Sequence, residues 1–165
     1  EPDSSLYVSQ ADGTHDTQLF GNDRAPRHAA WAPDDAELAA SVEESGQRRI
    51  VLYDANNEET TFLIPPANAP DGAQQHPRWA PNGDFVAFTL ATDNGLQTAV
   101  HQAGSTNLLM PATGPVWGWI DDQTLVVPTP NGLTLVDLNG SPIHTLPAEA
   151  TLVDAWPAET AVSAR

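Results

Sequence analysis

Short runs of alternating apolar and polar residues, separated by turns, follow one another along the chain. Three of them align without gaps: LYVSQADG at 6–13, IVLYDANN at 50–57 and LTLVDLNG at 133–140, while TAVHQAG at 98–104 lacks one residue. Their apolar residues fall on every second position, which is typical of a β-strand with one buried face. Each run closes on Gly or Asn before another short apolar run, so we expect a turn and a second strand.

A second repeated pattern is built around tryptophan. Trp31, Trp79, Trp119 and Trp156 lie 48, 40 and 37 residues apart. A polar turn and a short apolar run follow each of them, as in WAPNGDFVAF at 79–88. This order predicts a strand, a tight turn and a second strand. The two patterns together give units of four short strands, named a to d in chain order, with the tryptophan on strand a.

A repeat of about 40 residues that contains four strands indicates the blades of a β-propeller. No long segment repeats apolar residues at helical spacing without an internal Gly or Pro, so we predict an all-β fold. A single blade is too small to bury both of its faces, and its neighbours must cover them. We therefore expect the tryptophans and the apolar residues of strand b to fill the space between blades.

The order of the strands suggests how the ring closes. Segment 1–20 supplies only strands c and d, and segment 153–165 supplies only strands a and b, with three full units at about 27–63, 75–110 and 115–147. We predict one domain, a β-propeller of four-stranded antiparallel blades, and favour four blades with the last shared between the two terminal segments, since this pairing removes open strand edges. The alternatives are part of a larger wheel and half of an eight-bladed dimer.

These phrases resemble a known repeat family. WAPNGDFVAFT at 79–89 and WAPDDAELAAS at 31–41 are similar to the W-S-P-D-G-x-x-I-A-F phrase of the PD40, or WD40-like, repeats of TolB-like propellers, and LYVSQADGTHDTQLF at 6–20 is similar to the phrase that follows it there. The match covers nearly the whole chain, but it weakens at Trp119 and keeps little beyond the tryptophan at Trp156. The resemblance implies a propeller, often extracytoplasmic and partner-binding, with no fixed catalytic residues.

Composition removes several classes of function. The 165 residues carry a formal charge of −16 with no lysine, and a nucleic-acid backbone would repel such a surface. The chain has no cysteine, which excludes disulfides, thiolate zinc sites and thiol catalysis. Its apolar runs are too short for a membrane helix.

The arginines are unevenly placed. Five of the six fall in or beside d–a or b–c connections, which open on one face of a propeller: Arg24, Arg27, Arg48, Arg49 and Arg78. Acidic turns fall on the opposite face: Asp34, Asp35, Glu58, Glu59, Asp84, Asp121 and Asp122. We predict a locally positive patch that binds carboxylate or phosphate groups through forked guanidinium donors. The alternative is that these arginines pair with Glu43, Glu44 and Asp23.

One connection is longer than its counterparts. IPPANAPDGAQQHPR separates Leu63 from Trp79, where the matching links have 8 to 10 residues. Long loops in compact domains are often functional, and Pro65, Pro66 and Pro70 would lower the entropy lost on gripping a partner. We therefore include these prolines among the predicted partner-binding residues. The alternative is a tolerated insertion.

Two histidines and two aspartates occupy repeated positions. His28 and His76 each lie three residues before a tryptophan, so they could face the channel from adjacent blades. They are weak metal candidates, because a competent site needs a third ligand and none is evident, and we predict neither a metal nor a cofactor. Asp54 and Asp137 share a position at the end of strand c, where we expect each to accept hydrogen bonds from turn amides.

Catalytic signatures are missing from the sequence. It contains no G-x-S-x-G elbow, H-E-x-x-H, P-loop or G-x-G-x-x-G. We expect a non-enzymatic binding or assembly module that presents its loops to a protein partner with acidic groups, in the periplasm or at a cell surface. We favour a monomer over a homodimer. The alternatives are a fragment or accessory subunit of a larger hydrolase that acts on peptides or polysaccharides, and a half-wheel that dimerises.

Overall fold

A computed structural model describes residues 5–63 and 70–147 of the chain. These residues form strands joined by turns, with one 3-10 turn at Asn22–Arg24 and no α-helix. The strands are β1 (Leu6–Val8), β2 (Thr17–Phe20), β3 (Arg27–Trp31), β4 (Glu37–Glu44), β5 (Gln47–Asp54), β6 (Glu59–Phe62), β7 (Ala73–Trp79), β8 (Phe85–Thr92), β9 (Gly95–Gln102), β10 (Leu108–Thr113), β11 (Gly118–Asp121), β12 (Thr124–Thr129), β13 (Gly132–Asp137) and β14 (Pro142–Pro147).

The strands pair in chain order. β3 to β6, β7 to β10 and β11 to β14 each form a four-stranded antiparallel sheet, called here blades 1, 2 and 3, while β1 and β2 form a two-stranded half-blade. The all-β fold of four-stranded antiparallel blades is therefore confirmed. The described sheets do not close a ring. Segment 153–165, predicted to complete the half-blade, lies outside the described residues, so the four-blade closure stays a prediction.

Short polar side chains form the turns between strands a and b. In the three blades the carboxylate or amide oxygen of Asp34, Asn82 or Asp121 accepts a hydrogen bond from the backbone N–H two residues later, at 3.1, 3.0 and 2.9 Å. This is the local bond by which Asp and Asn favour turns. Gly83 supplies the left-handed backbone, with φ of 78°. The polar turns predicted after Trp31, Trp79 and Trp119 are confirmed.

The hydrophobic core lies between blades rather than within them. One cluster joins blade 1, through Ala39 and Ile50, to Val86 and Phe88 of blade 2. A second joins blade 2 to blade 3, and a third packs the half-blade onto blade 1 through Phe20. Each sheet therefore depends on its neighbour for burial, as expected for propeller blades.

Tryptophan side chains fill two of these interfaces between blades, which we call seams. Trp79 and Trp119 are 9% and 5% exposed. Their indole Nε1 atoms donate to the carbonyl oxygens of Ala30 (3.1 Å) and Arg78 (3.0 Å) in the preceding blade. The predicted role of tryptophan between blades is confirmed at these two positions. Trp31 differs: it is 41% exposed and lies beside the two-stranded half-blade.

Polar groups also bridge the seam between blades 1 and 2. Ser41 Oγ donates to the carbonyl oxygen of Gln74 at 2.8 Å. The fully buried Gln74 side chain accepts from the Ile50 N–H at 2.7 Å and donates to the carbonyl oxygen of Leu63 at 3.5 Å. Gln74 was not predictable from the sequence, since a single glutamine gives no repeat signal.

Candidate binding face

Four of the five predicted arginines lie at one end of blade 1, in the β2–β3 connection, at the start of β3 and at the start of β5: Arg24, Arg27, Arg48 and Arg49. Arg78 differs from the prediction, because it is the last residue but one of β7 and pairs with Ala87 near the a–b turn. In blade 1, Arg27 at the start of β3 is paired with Ser41 near the end of β4, and Glu44 is paired with Gln47 across the β4–β5 turn. The connection from β2 to β3 and the β4–β5 turn therefore lie at the same end. β3 also packs against β7, so the starts of these two inner strands adjoin.

A pair of histidines lies at the centre of this face. The rings of His28 and His76, from β3 and β7, have centroids 3.7 Å apart and are tilted by 35°. Both residues have left-handed backbone, with φ of 50° and 53°, at irregularities in the pairing with β4 and β8. Such bulges redirect side chains, which brings the two rings together from neighbouring blades. The sequence predicted that these histidines face the same channel, but not that they touch.

Arginines lie near the histidine pair. Burial is the main cause that lowers the pKa of both His28 and His76 below the ordinary value. The neighbouring His76 is the next cause for His28, followed by positive charge on Arg48, Arg27 and Arg78. The surroundings of the two imidazoles therefore favour their uncharged form, and three arginines lie close enough to act on His28. We call these five residues the cationic cluster.

The arginines differ in how free their guanidinium groups are. Arg27 and Arg78 are exposed and have no carboxylate partner within 5–63 and 70–147; Arg78 Nη1 only donates to the adjacent Pro77 carbonyl oxygen at 3.3 Å. Arg48, whose side chain is 14% exposed, pairs with Glu43 at 3.4 Å and donates to the Ala25 carbonyl oxygen at 3.1 Å. Arg48 therefore helps to build the face, whereas Arg27 and Arg78 are open to solvent.

Arg24 and Arg49 also have acidic partners. Arg24 forms an ion pair with Glu44, and Arg49 Nη2 lies 3.5 Å from a carboxylate oxygen of Asp71. Glu44 was among the partners that the sequence suggested for these arginines, whereas Asp71, which lies in another blade connection, was not. Exposed pairs of this kind contribute about 0–1 kcal/mol each to stability.

The proline-rich connection reaches the same face. Pro65 and Pro66 lie outside the described residues, and Pro70 is exposed. The next residue, Asp71, accepts a hydrogen bond from Gln47 Nε2 at 3.0 Å, which is the main cause that lowers the pKa of Asp71. This contact holds the end of the connection beside the β4–β5 turn.

A cleft on the opposite face is acidic. About 410 Å³ in volume, it lies between blades 1 and 2, and its lining includes Glu37, Asp54, Glu59 and His101. Burial, and then the charges of neighbouring aspartates, raise the pKa of Glu37. In the part of the chain that the structure describes, no cluster of three or more His, Asp or Glu side chains could hold a metal ion.

The repeated aspartates have the structural role that was expected. The Asp54 carboxylate accepts from the N–H of Asn56 at 2.8 Å, and the Asp137 carboxylate accepts from the N–H groups of Asn139 and Ser141 at 2.9 and 2.7 Å. The prediction that they bond to turn amides is confirmed.

Comparison with solved structures places the fold among TolB-like β-propellers. The chain is similar to TolB from Acinetobacter baumannii, with a TM-score of 0.63 and 17% identity over 86% of this chain and 37% of that one. It is similar at a TM-score of 0.63 to a putative TolB from Agrobacterium tumefaciens, with 16% identity over 84% of this chain and 53% of that one. A nidogen/laminin complex gives 0.63 at 13% identity, covering 86% and 54%.

These likenesses confirm the resemblance at the level of the fold. The chain spans from about a third to about half the length of the structures it matches. The sequence matches no family model and no curated protein. Among the described residues, no helix has the length and apolar character needed to cross a membrane.

Proposed function

We propose that this propeller is a non-enzymatic binding module that binds an acidic protein partner at its cationic cluster. The observation that supports this is the convergence of Arg27, Arg48 and Arg78 on the His28–His76 pair in a chain with a formal charge of −16. A small positive region on an acidic surface attracts carboxylates, while the surrounding surface repels them. Such a charge pattern orients a partner and selects among partners.

The roles of the individual residues follow from their contacts. Arg27 and Arg78 make direct contacts with the partner's carboxylates, since their guanidinium groups have no acidic partner among the described residues. Arg24, Arg48 and Arg49 position the loops, because each is already paired with a carboxylate. We include the connection that contains Pro65, Pro66 and Pro70 in the proposed site, because Asp71 at its end accepts a hydrogen bond from Gln47 beside the β4–β5 turn. We further propose that the protein acts as a monomer, and that it acts outside the cytoplasm, as the resemblance to TolB-like repeats implies.

The test uses an acidic probe of known composition, a fluorescein-labelled peptide of ten glutamates. Fluorescence anisotropy at low salt should show binding that weakens as salt is added. Replacing Arg27 and Arg78 together with Ala removes two contacts worth about 1 kcal/mol each, so we expect a loss in affinity of roughly thirtyfold. The matched control is Gln102→Glu with Gln123→Glu, which lowers the net charge equally from exposed positions on the opposite face.

The control should bind the peptide almost as the natural chain does. A carboxylate bound beside His28 and His76 raises their pKa, so binding takes up protons and should tighten as the pH falls from 7.5 to 6. Equal losses in the double-arginine variant and the control would show that only net charge matters, and the proposed site would then be wrong.

A further inference from the structure

A row of carboxylates crosses one side of blade 1 at its acidic end. Glu37 on β4 is paired with Asp54 on β5, and Asp54 is paired with Glu59 on β6. Directly paired residues place their side chains on the same side of a sheet, so the three negative charges are neighbours in a row that spans roughly 10 Å. Like charges placed directly opposite each other destabilise a sheet. This row therefore lowers the stability of blade 1 unless a cation lies beside it.

The described part of the chain supplies no cation to this row. None of its salt bridges involves Glu37, Asp54 or Glu59. After burial, the charges that raise the pKa of Glu37 are those of Asp54 and Asp34, so its charged neighbours are acidic. A metal ion does not fit either, because no three acidic or histidine side chains of the described residues converge closely enough to hold one. An extended row of separate charges instead suits an extended organic cation.

The charged row borders a less polar surface inside the acidic cleft. The next row on the same side of blade 1 consists of Ala39, Leu52 and Thr61. Leu52 and Thr61 line the cleft of about 410 Å³ together with the three carboxylates. Small-molecule sites commonly have volumes of about 300–1,000 Å³ and combine apolar walls with a few polar groups. The cleft therefore has room for a small molecule that is charged along one side and apolar along the other.

His101 lines the cleft from blade 2. Its side chain is only 8% exposed, and its one hydrogen bond among the described residues is to the Asn107 backbone. Burial lowers the pKa of His101 and favours the neutral ring, whereas the Asn107 bond raises that pKa, so the bonded nitrogen is the donor. The other ring nitrogen is then an unpaired acceptor, and it is not among the buried polar atoms that lack a partner, so it is open to the cleft. Carboxylates and this nitrogen all accept hydrogen bonds, which fits a ligand whose polar groups only donate.

We propose that the acidic cleft binds a linear aliphatic polyamine, with its ammonium groups along Glu37, Asp54 and Glu59 and its methylene chain against Leu52. Ammonium groups have only donors, and their hydrogen bonds to carboxylates are charge-assisted. They offset the repulsion within the row, while the methylenes cover apolar surface as the stem of a lysine side chain does. This site lies on the opposite face from the cationic cluster and does not depend on the partner proposed for that cluster.

The experiment titrates spermidine, a linear triamine, into the 165-residue chain at pH 7.5 and low salt by isothermal titration calorimetry. Glu37→Gln with Glu59→Gln removes two charge-assisted contacts and should lower the affinity at least about tenfold. The matched control, Asp23→Asn with Asp93→Asn, removes the same charge from exposed positions near the other end of the blades and should change the affinity less than about twofold. Nuclear Overhauser contacts between the spermidine methylenes and the Leu52 methyl groups should locate the ligand.

Other results would overturn the proposal. Equal losses in the two double variants would mean that spermidine responds only to net charge, and a lack of contacts with Leu52 would place it elsewhere. A pentalysine peptide that binds more tightly than spermidine and needs the same two glutamates would assign the row to a basic protein segment. Removal of Glu37 and Glu59 charges relieves repulsion, so the urea midpoint of that variant without ligand should be at least that of the natural chain. A lower midpoint would mean that the carboxylates stabilise the fold without a cation.

Discussion

Gln74 provides the sharpest test of how the blades are joined. Its side-chain amide sits at the end of the β5–β6 ladder, where the Leu63 N–H donates to the Ile50 carbonyl oxygen at 2.9 Å. The return bond from the Ile50 N–H goes to Gln74 Oε1 at 2.7 Å, and Gln74 Nε2 contacts the Leu63 carbonyl oxygen at 3.5 Å. A side chain from blade 2 therefore completes the ladder of blade 1.

Gln74→Leu keeps a similar side-chain volume and removes the amide oxygen and nitrogen that contact Ile50 and Leu63. Ile50 and Gln74 are fully buried, so the Ile50 N–H loses its only acceptor without gaining access to water. A buried unsatisfied donor costs about 1–3 kcal/mol. The Leu63 bond is long and adds little. We expect a loss of about 2 kcal/mol in the free energy of unfolding, which lowers Tm by about 4–8 °C for a domain of this size.

Urea unfolding followed by tryptophan fluorescence measures the change, and amide exchange at Ile50 locates it. The matched control is Gln75→Leu, the next residue on β7, whose half-buried side chain points to the other side of the sheet. The control should change stability by less than about 0.5 kcal/mol. If Gln74→Leu is as stable as the control and the Ile50 amide stays protected, this account of the seam is wrong.

Two further predictions concern the histidine pair and a close approach between blades. The pKa of His28 and of His76 is lowered in the folded state, so the unfolded chain binds protons more readily. The free energy of unfolding is therefore highest above pH about 6.5 and falls as the pH drops through the folded-state pKa values. Replacing both histidines with Gln should flatten that fall in urea titrations between pH 7.5 and 5. A Cβ at Gly140, where φ is 83°, would lie 2.4 Å from the Pro111 carbonyl oxygen, so Gly140→Ala should lower the free energy of unfolding by more than about 2 kcal/mol in thermal melts. The control is Gly104→Ala, where φ is 69° and the space is open, and it should lower that free energy by only about 1 kcal/mol. Equal losses would mean that the contact is not tight.

Much of the fold could be predicted because each propeller blade is formed by residues that are close together in the sequence. Strand alternation, turn residues such as Asn82 and Gly83, and the spacing of Trp79 and Trp119 all reflect contacts within a blade or between adjacent blades of a repeating array. Trp31 shows the limit of this reasoning. Its phrase matches those of the other tryptophans, yet it is 41% exposed, because it lies beside a two-stranded half-blade rather than a four-stranded blade.

The candidate site was predictable only in part. The placement of Arg27 and Arg48 at one end of blade 1 followed from assigning each arginine to a type of connection between strands, whereas Arg78 lies within β7. Which guanidinium groups remain free did not follow, because ion pairs such as Arg49 with Asp71 join residues from different blades. Side-chain pairing depends on distances of a few ångströms, which sequence spacing does not fix.

The sequence by itself determined the strands, their order and the repeat, since these depend on residue periodicity and turn chemistry over a few neighbours. The tertiary structure alone decided the contact between His28 and His76, the use of Gln74 to complete another blade's ladder, and the exposure of Trp31. Each of these depends on how neighbouring blades are placed, and that placement follows from packing of side chains far apart in the sequence.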